Sequence, residues 1–402
     1  MLHVDIPPLV VVLFVAVAAP LLAEATRRIG VSVVVLEILL GVAIGPQGLG
    51  WTQPENALPY LATLGMAFLF FLAGLEIDLH AIKGEPLNRS LVGWAASFAL
   101  SCAVALGLRA TGLVESWLLV AIALATTALG VLVPILKDTG LIASAFGRHV
   151  MAAGVMGELG PILAMSLALS RTHTADVQTG FTVIFITAVL VVAWLMTQGG
   201  KVPGVLGLLR RTMTQSSQLP VRLSVLLVAV LAVFAETLGL DLALGALAAG
   251  MIVSLATRDA DVHVLHEKLE AIGFGFLIPV FFIVSGIKLD VAAIFGSSTG
   301  LTLALTFLVA VLAVRIPLSL AHRGVLEIRQ RLAVALYSAT TLSLVVALSE
   351  IGVASGLMKS AEAAPLVGGA MLTVILFPLA ALRLTGQSVA KGTAHLGEKD
   401  GL

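Results

Sequence analysis

Apolar runs long enough to cross a lipid bilayer follow one another along almost the whole chain, beginning with LVVVLFVAVAAPLLA at 9–23. A helix of about 20 such residues spans the hydrocarbon core. These runs reach that length instead of alternating with polar faces. Of 402 residues, 59% are hydrophobic and 11% charged, against roughly 25% charged in a soluble domain. The chain reads as an all-α polytopic membrane protein. Its 39 glycines and few aromatics suit close helix packing in lipid.

Composition also narrows the chemistry. The formal net charge is zero, so nothing in the bulk charge points to nucleic acid. Cys102, the single cysteine, lies inside an apolar run, which leaves neither a disulfide nor a thiolate metal site. The opening MLHVDIPPLVVVLF has no basic segment ahead of its apolar stretch, and is read as a first span and not a cleaved signal peptide.

Hydropathy and turn residues predict about thirteen spans of ~20 residues. They fall near 7–27, 32–47, 58–77, 90–108, 115–136, 149–170, 179–198, 221–239, 241–256, 271–288, 300–321, 332–351 and 364–383. Of the 23 Lys and Arg, only Arg109, Arg171, Lys288 and Lys359 fall in the loops on one side, and Arg315 lies within a span. All the others collect on the opposite side. The positive-inside rule then orients the chain with its N-terminus outside and its C-terminus in the cytoplasm.

Three pairs of segments match in the same order. LLGVAIG (39–45) matches AAGMIVS (248–254), FFLAGLEID (70–78) matches FFIVSGIKLD (281–290), and ATTALGVLVP (125–134) matches ATTLSLVVAL (339–348). Members of a pair stand seven spans apart and so cross in opposite directions. That predicts two inverted six-helix repeats, the architecture of secondary transporters, with the site where two interrupted helices meet. Residues 1–171 form the first repeat, 172–219 a linker helix and inner loop, 220–385 the second repeat, and 386–402 a short cytoplasmic tail. The break in the fifth span is expected at Gly130 and Pro134, since proline removes a backbone donor. The break in the twelfth rests on the repeat alone. Thr126, Thr127, Thr340 and Thr341 put hydroxyls beside these breaks, either to line a site or to bond their own helix backbone.

Glu158 is the candidate at the centre. It lies about ten residues into its span, or ~15 Å. A charge there costs roughly 2.5–3.5 kcal/mol on insertion scales. Gly157 before it leaves room for a helix or an ion, and Pro161 after it frees a carbonyl. The corresponding place in the last span, near Leu372, carries no charge. Desolvation favours the protonated carboxyl and a nearby cation the ionised one, so a group balanced between them holds either a proton or a metal cation. Alternation between the two is antiport, one cation for one proton if binding is exclusive. The plainer alternative is a permanently protonated acid bonded to a neighbouring helix.

Arg315 either snorkels to the cytoplasmic interface or pairs with Glu158 until a cation arrives. Glu37 and Glu236 are possible accessory acids, expected to line a vestibule or cap a helix. His149, at the inner mouth of the sixth span, is a possible pH sensor or simply solvated.

With LEILLGVAIGPQGLG (36–50), FLFFLAGLEIDL (68–79), LKDTGLIASAFGRHVMAAGVMGELGPILAMSLAL (136–169), LDLALGALAAGMIVS (240–254) and IPVFFIVSGIKLD (278–290), the chain resembles the monovalent cation:proton antiporter-2 family over about residues 7–385. The resemblance implies the sodium/proton antiporter fold, with crossed discontinuous helices at the two ATT segments. It implies a mobile core of spans 4–6 and 11–13, a scaffold of spans 1–3 and 8–10 that pairs into a homodimer, and elevator-like alternating access. The family's ion-binding acid falls on Glu158 and its basic residue on Arg315. Where relatives carry aspartate preceded by Asp, Asn or Gln, this chain has Gly157–Glu158, a departure that favours electroneutral exchange. The segment after the last span is too short for the nucleotide-binding domain of Kef-type relatives.

The expected activity is exchange of Na⁺ or K⁺ for protons across a bacterial inner membrane, without a cofactor. Two alternatives stay open: a proton-coupled exporter of an organic solute on the same scaffold, with the space at Gly157 admitting a larger substrate, and a non-transporting membrane sensor. No nucleophile–base constellation points to an enzyme.

Overall fold

The computed structural model describes residues 7–25, 32–77, 82, 84–142, 144–168, 180, 183–192, 194, 212, 216–238, 240–257 and 262–385. Its helices in chain order begin with α1 (Pro8–Ala25), α2 (Val33–Ile44), α3 (Leu58–Glu76), α4 (Glu85–Ala110), α5 (Trp117–Leu124), α6 (Leu129–Asp138) and α7 (Ala145–Ala168). Then come α8 (Val183–Val192), α9 (Leu219–Thr237), α10 (Leu242–Ala256) and α11 (Val262–Ile272), which passes through a π-helical turn (Gly273–Leu277) into α12 (Ile278–Lys288). The last are α13 (Val291–Phe295), α14 (Ser298–Ala313), α15 (Ile316–Ala321), α16 (Ile328–Ala339), α17 (Ser343–Ala354) and α18 (Ser360–Thr385). Among the described residues, eight helical runs are long and apolar enough to cross a membrane, and α2, α8 and α10 are shorter apolar helices.

Three spans differ from expectation. The fifth breaks at 125–128, and Gly130 and Pro134 both lie inside α6 beyond the break. The tenth starts at Val262, because the π turn carries a preceding amphipathic helix straight into it. The eleventh stops at Ala313 and resumes at Ile316, with Arg315 between, where Pro317 opens the second helix without an amide to donate backwards. The twelfth span is interrupted at 340–342, where the match between the two ATT segments put it.

The chain divides into two compact units. One comprises residues 1–22, 36–78 and 166–288, and the other 23–35, 79–165 and 289–402. Each therefore draws on both halves of the sequence.

In the first unit, α3 packs against α10 and α12, and α9 against α10. Phe70, Phe71, Phe281 and Phe282 are fully buried and supply the bulk of its core. The α3–α10 approach is close enough to exclude side chains. A Cβ on Gly74 would stand 2.1 Å from the Leu247 carbonyl oxygen, and one on Gly250 would stand 2.0 Å from that of Phe71. Lipid tails give apolar side chains no reason to prefer each other, so contacts of this intimacy hold helices together in a bilayer. The side chain of Asp241 caps α10 by accepting from the Ala243 amide at 2.8 Å.

In the second unit, α4 lies along α5 and α15, and α18 along α14, α16 and α17. The Ser297 hydroxyl caps α14, and Glu327 and Gln330 form a reciprocal capping box on α16. The carboxylate of Glu362, in the first turn of α18, accepts from the amides of Glu115 at 2.6 Å and Ser116 at 3.2 Å. Those residues lead directly into α5, so the acid ties down the entry to the half-helix and stands near its positive end.

Gly250→Leu should lower the stability of the detergent-purified protein by about 1–3 kcal/mol, because the Phe71 carbonyl has nowhere to go. Gly107→Ala, at a helical glycine with open space around it, should leave the thermal midpoint unchanged or raise it. Comparing the two midpoints checks the packing.

Candidate functional site

The broken fifth span organises the second unit's polar interior. α5 ends at Leu124, residues 126–128 are not helical, and α6 begins at Leu129. The backbone groups released there find partners on other helices. The Thr127 amide donates to the Gly157 carbonyl at 2.9 Å, and the Ala128 amide to the Thr340 carbonyl at 2.9 Å. Gly157 has a carbonyl to offer because Pro161, four residues on, has no N–H to bond it.

Glu158 is 3% exposed, and its Oε2 accepts from the Leu129 amide at 3.0 Å. That amide is the first of α6, so a buried carboxylate faces the positive end of a half-helix. Among the described residues this is its one hydrogen bond.

At the other side of the break stands Arg315, 1% exposed. Its Nη1 donates to the Ala125 carbonyl at 3.2 Å and its Nη2 to the Thr126 carbonyl. These carbonyls end α5, where a cation is favoured. Neither fate expected for this side chain is seen. It does not reach an interface, and among the described residues it forms no ion pair with Glu158. The two charges each face one end of the same interrupted span.

All four threonine hydroxyls are engaged in hydrogen bonds. Thr126 bonds back to the Ala123 carbonyl at 2.8 Å while also meeting the Thr341 hydroxyl, and Thr340 bonds back to Leu336 at 3.2 Å. Thr127 crosses to the Ser338 carbonyl at 2.7 Å. All four are fully buried. The space expected beside Gly157 is filled by Thr127: a Cβ at 157 would lie 2.1 Å from its Oγ1.

Two contributors escaped the sequence reading. Thr373 on α18 accepts from the Thr341 amide at 3.0 Å and donates to the Thr341 carbonyl at 2.8 Å, serving the second break with a neutral hydroxyl one residue beyond the uncharged Leu372. Its neighbourhood in the sequence is apolar, which gave no signal. Trp94 on α4 donates its indole N–H to the Ala125 carbonyl at 3.3 Å and lies over Gly160.

Glu37 is buried on α2 and Glu236 exposed near the end of α9, and both belong to the first unit. His149 is buried, not solvated, with its ring edge-on to His322 at 5.1 Å. Burial, with Arg89 and Arg331 nearby, holds His322 below the usual imidazole range despite its bond to the Leu318 carbonyl.

Gly157→Ala should destabilise the protein by about 1–3 kcal/mol by displacing Thr127. Thr127→Gly in the same background should recover part of the loss, since it removes both colliding atoms, a coupling that thermal unfolding of the four variants measures.

The geometry can be set beside known proteins. The pattern of the family described as "Sodium/hydrogen exchanger, transmembrane" matches residues 12–382. The chain is 29% identical over 399 residues to the "Putative Na(+)/H(+) antiporter YjbQ" of Bacillus subtilis (strain 168), covering 94% of this chain and 63% of that protein. It is 26% identical over 298 residues to the "Na(+)/H(+)-K(+) antiporter GerN" of Bacillus cereus, covering 73% of this chain and 74% of that one. In fold it is similar to the sodium proton antiporter MjNhaP1 from Methanocaldococcus jannaschii, with a TM-score of 0.67 at 14% identity over 94% of this chain and 98% of that one. The chain belongs to the transmembrane sodium/hydrogen exchanger family.

Proposed function

We propose that this chain exchanges a monovalent cation, Na⁺ or K⁺, for protons, one for one and without net charge movement. The observation that carries the reading is the Glu158 carboxylate, buried in α7 against the first amide of α6. With a proton on, the group is neutral and at home in a dry interior. With the proton off, it needs a positive partner, and an amide at a helix end is only a fraction of a charge. A cation supplies the remainder. Oxygen donors suit hard cations, and Thr126, Thr127, Thr340 and Thr341 with the carbonyls at the breaks are the nearest supply. In the state described, the Ala125 and Thr126 carbonyls are held by Arg315. The guanidinium stands in for the cation and gives way to it.

The rival organic-solute exporter relied on open space beside Gly157, and Thr127 occupies that space. No observation favours a sensor. Transport carries the ions themselves and uses no cofactor. The distribution of Lys and Arg supports an external N-terminus in a bacterial inner membrane, and the matched segments support inverted repeats at 1–171 and 220–385 within about thirteen spans. The family resemblance supports a homodimer whose site-bearing unit alternates between the two sides.

The test is dequenching of a pH dye in everted vesicles on adding NaCl or KCl. Wild type should respond, Glu158→Gln should fall to the level of empty vesicles, and Glu158→Asp should keep part of the activity. Because proton and cation compete for one group, the apparent KM for the cation should rise as pH falls, by up to about tenfold per unit. Clamping the membrane potential should leave the rate unchanged. Undiminished exchange by Glu158→Gln sinks the proposal.

A further inference from the structure

Two cavities in the second unit adjoin, and neither belongs to the site above. The first, about 430 Å³, is lined by polar and charged groups including Arg329, Gln330, Arg383 and Ser144. The second, about 470 Å³, is an apolar groove along which Leu312, Ile316 and Leu320 face Ile328, Leu332 and Leu336. Leu384 forms a wall of both. Each ridge follows the four-residue spacing of a helix face, and Ile316, Leu320, Ile328 and Leu332 are exposed.

Charge decides what such a groove receives. Arg331, where the groove begins, is anchored by its Nε to the Ser319 carbonyl at 2.9 Å, leaving its other donors available. Among the described residues, no acid pairs with Arg329 or Arg383. The one carboxylate lining the polar cavity, Glu327, is engaged in the capping box of α16. An apolar channel thus opens beside the guanidinium groups of Arg329 and Arg383, which among the described residues have no protein acceptor. Planar guanidinium forks match phosphate oxygens, and basic pockets between membrane helices hold anionic head groups.

We propose that the two cavities together bind one anionic diacyl phospholipid, its phosphate on Arg329 and Arg383 and one acyl chain along the groove between α14–α15 and α16. Neither half suffices: the phosphate anchors and the chain fills.

Native mass spectrometry of the full-length protein in detergent, titrated with phosphatidylglycerol or phosphatidylcholine, tests this. Phosphatidylglycerol adducts should survive activation that strips phosphatidylcholine. Arg329→Gln/Arg383→Gln should weaken phosphatidylglycerol binding about tenfold or more, on the scale of two basic groups at a lipid surface. Leu320→Trp, which plugs the groove and leaves the arginines intact, should weaken it as well. Glycerol 3-phosphate at millimolar concentration should not compete. Equal retention of the two lipids, or unchanged binding by the double variant, overturns the proposal. So does competition by glycerol 3-phosphate, which would make this a plain phosphate site. A dimer lost on Leu320→Trp, or phosphatidylglycerol binding that emerges only after deletion of residues 386–402, would assign the groove to a second copy or to the tail and equally overturn it.

Discussion

A helix that stops and restarts inside a membrane creates two partial charges where an unbroken helix has none. The gap between α5 and α6 is that event here, and the polar interior of the second unit is arranged around it. Carbonyls at the end of α5 face a guanidinium, and the first amide of α6 faces a carboxylate. Each buried ion offsets its desolvation against a helix end. Because the ions do not neutralise each other, either can change state without stranding its partner. A direct ion pair would lack that freedom, since removing one member leaves an uncompensated charge in a dry interior.

The break persists because the surrounding residues give its backbone groups somewhere to go. Pro161 withdraws a donor from α7, and the Thr127 amide takes the carbonyl left over. Gly157 carries no side chain, so Thr127 can enter. Thr340 provides the acceptor for Ala128, and Thr373 closes the second break with its own hydroxyl. Each residue is ordinary alone; joined, they satisfy an interrupted backbone where water is not available to do so. The glycine that precedes Glu158 fits this packing. A side chain there would displace the threonine that crosses to α16.

Much of the fold was legible because a bilayer imposes few choices. Span length, the two interrupted segments and the buried depth of Glu158 all follow from hydropathy and from matching one ATT segment to another. The position of the break was less accessible. Gly130 and Pro134 drew attention as helix breakers, yet both lie within α6, because a helix tolerates its weak residues when its neighbours reward continuity elsewhere. Arg315 was misread for a related reason. A lone cation in an apolar span suggests either an acid or an interface, and no periodicity reveals that carbonyls 190 positions away in the chain will supply the partner.

What the amino-acid order determined by itself was which segments enter the membrane and which residue types enter with them, since transfer from water to hydrocarbon depends on each segment's own composition. It also singled out one carboxylate too deep to be solvated. Only the tertiary structure decided which partners those groups meet. Hydrogen bonds such as Leu129 to Glu158 and Arg315 to Ala125 join residues 29 and 190 positions apart. They depend on directions and distances a few ångströms wide, and no local pattern encodes such geometry until the helices have packed.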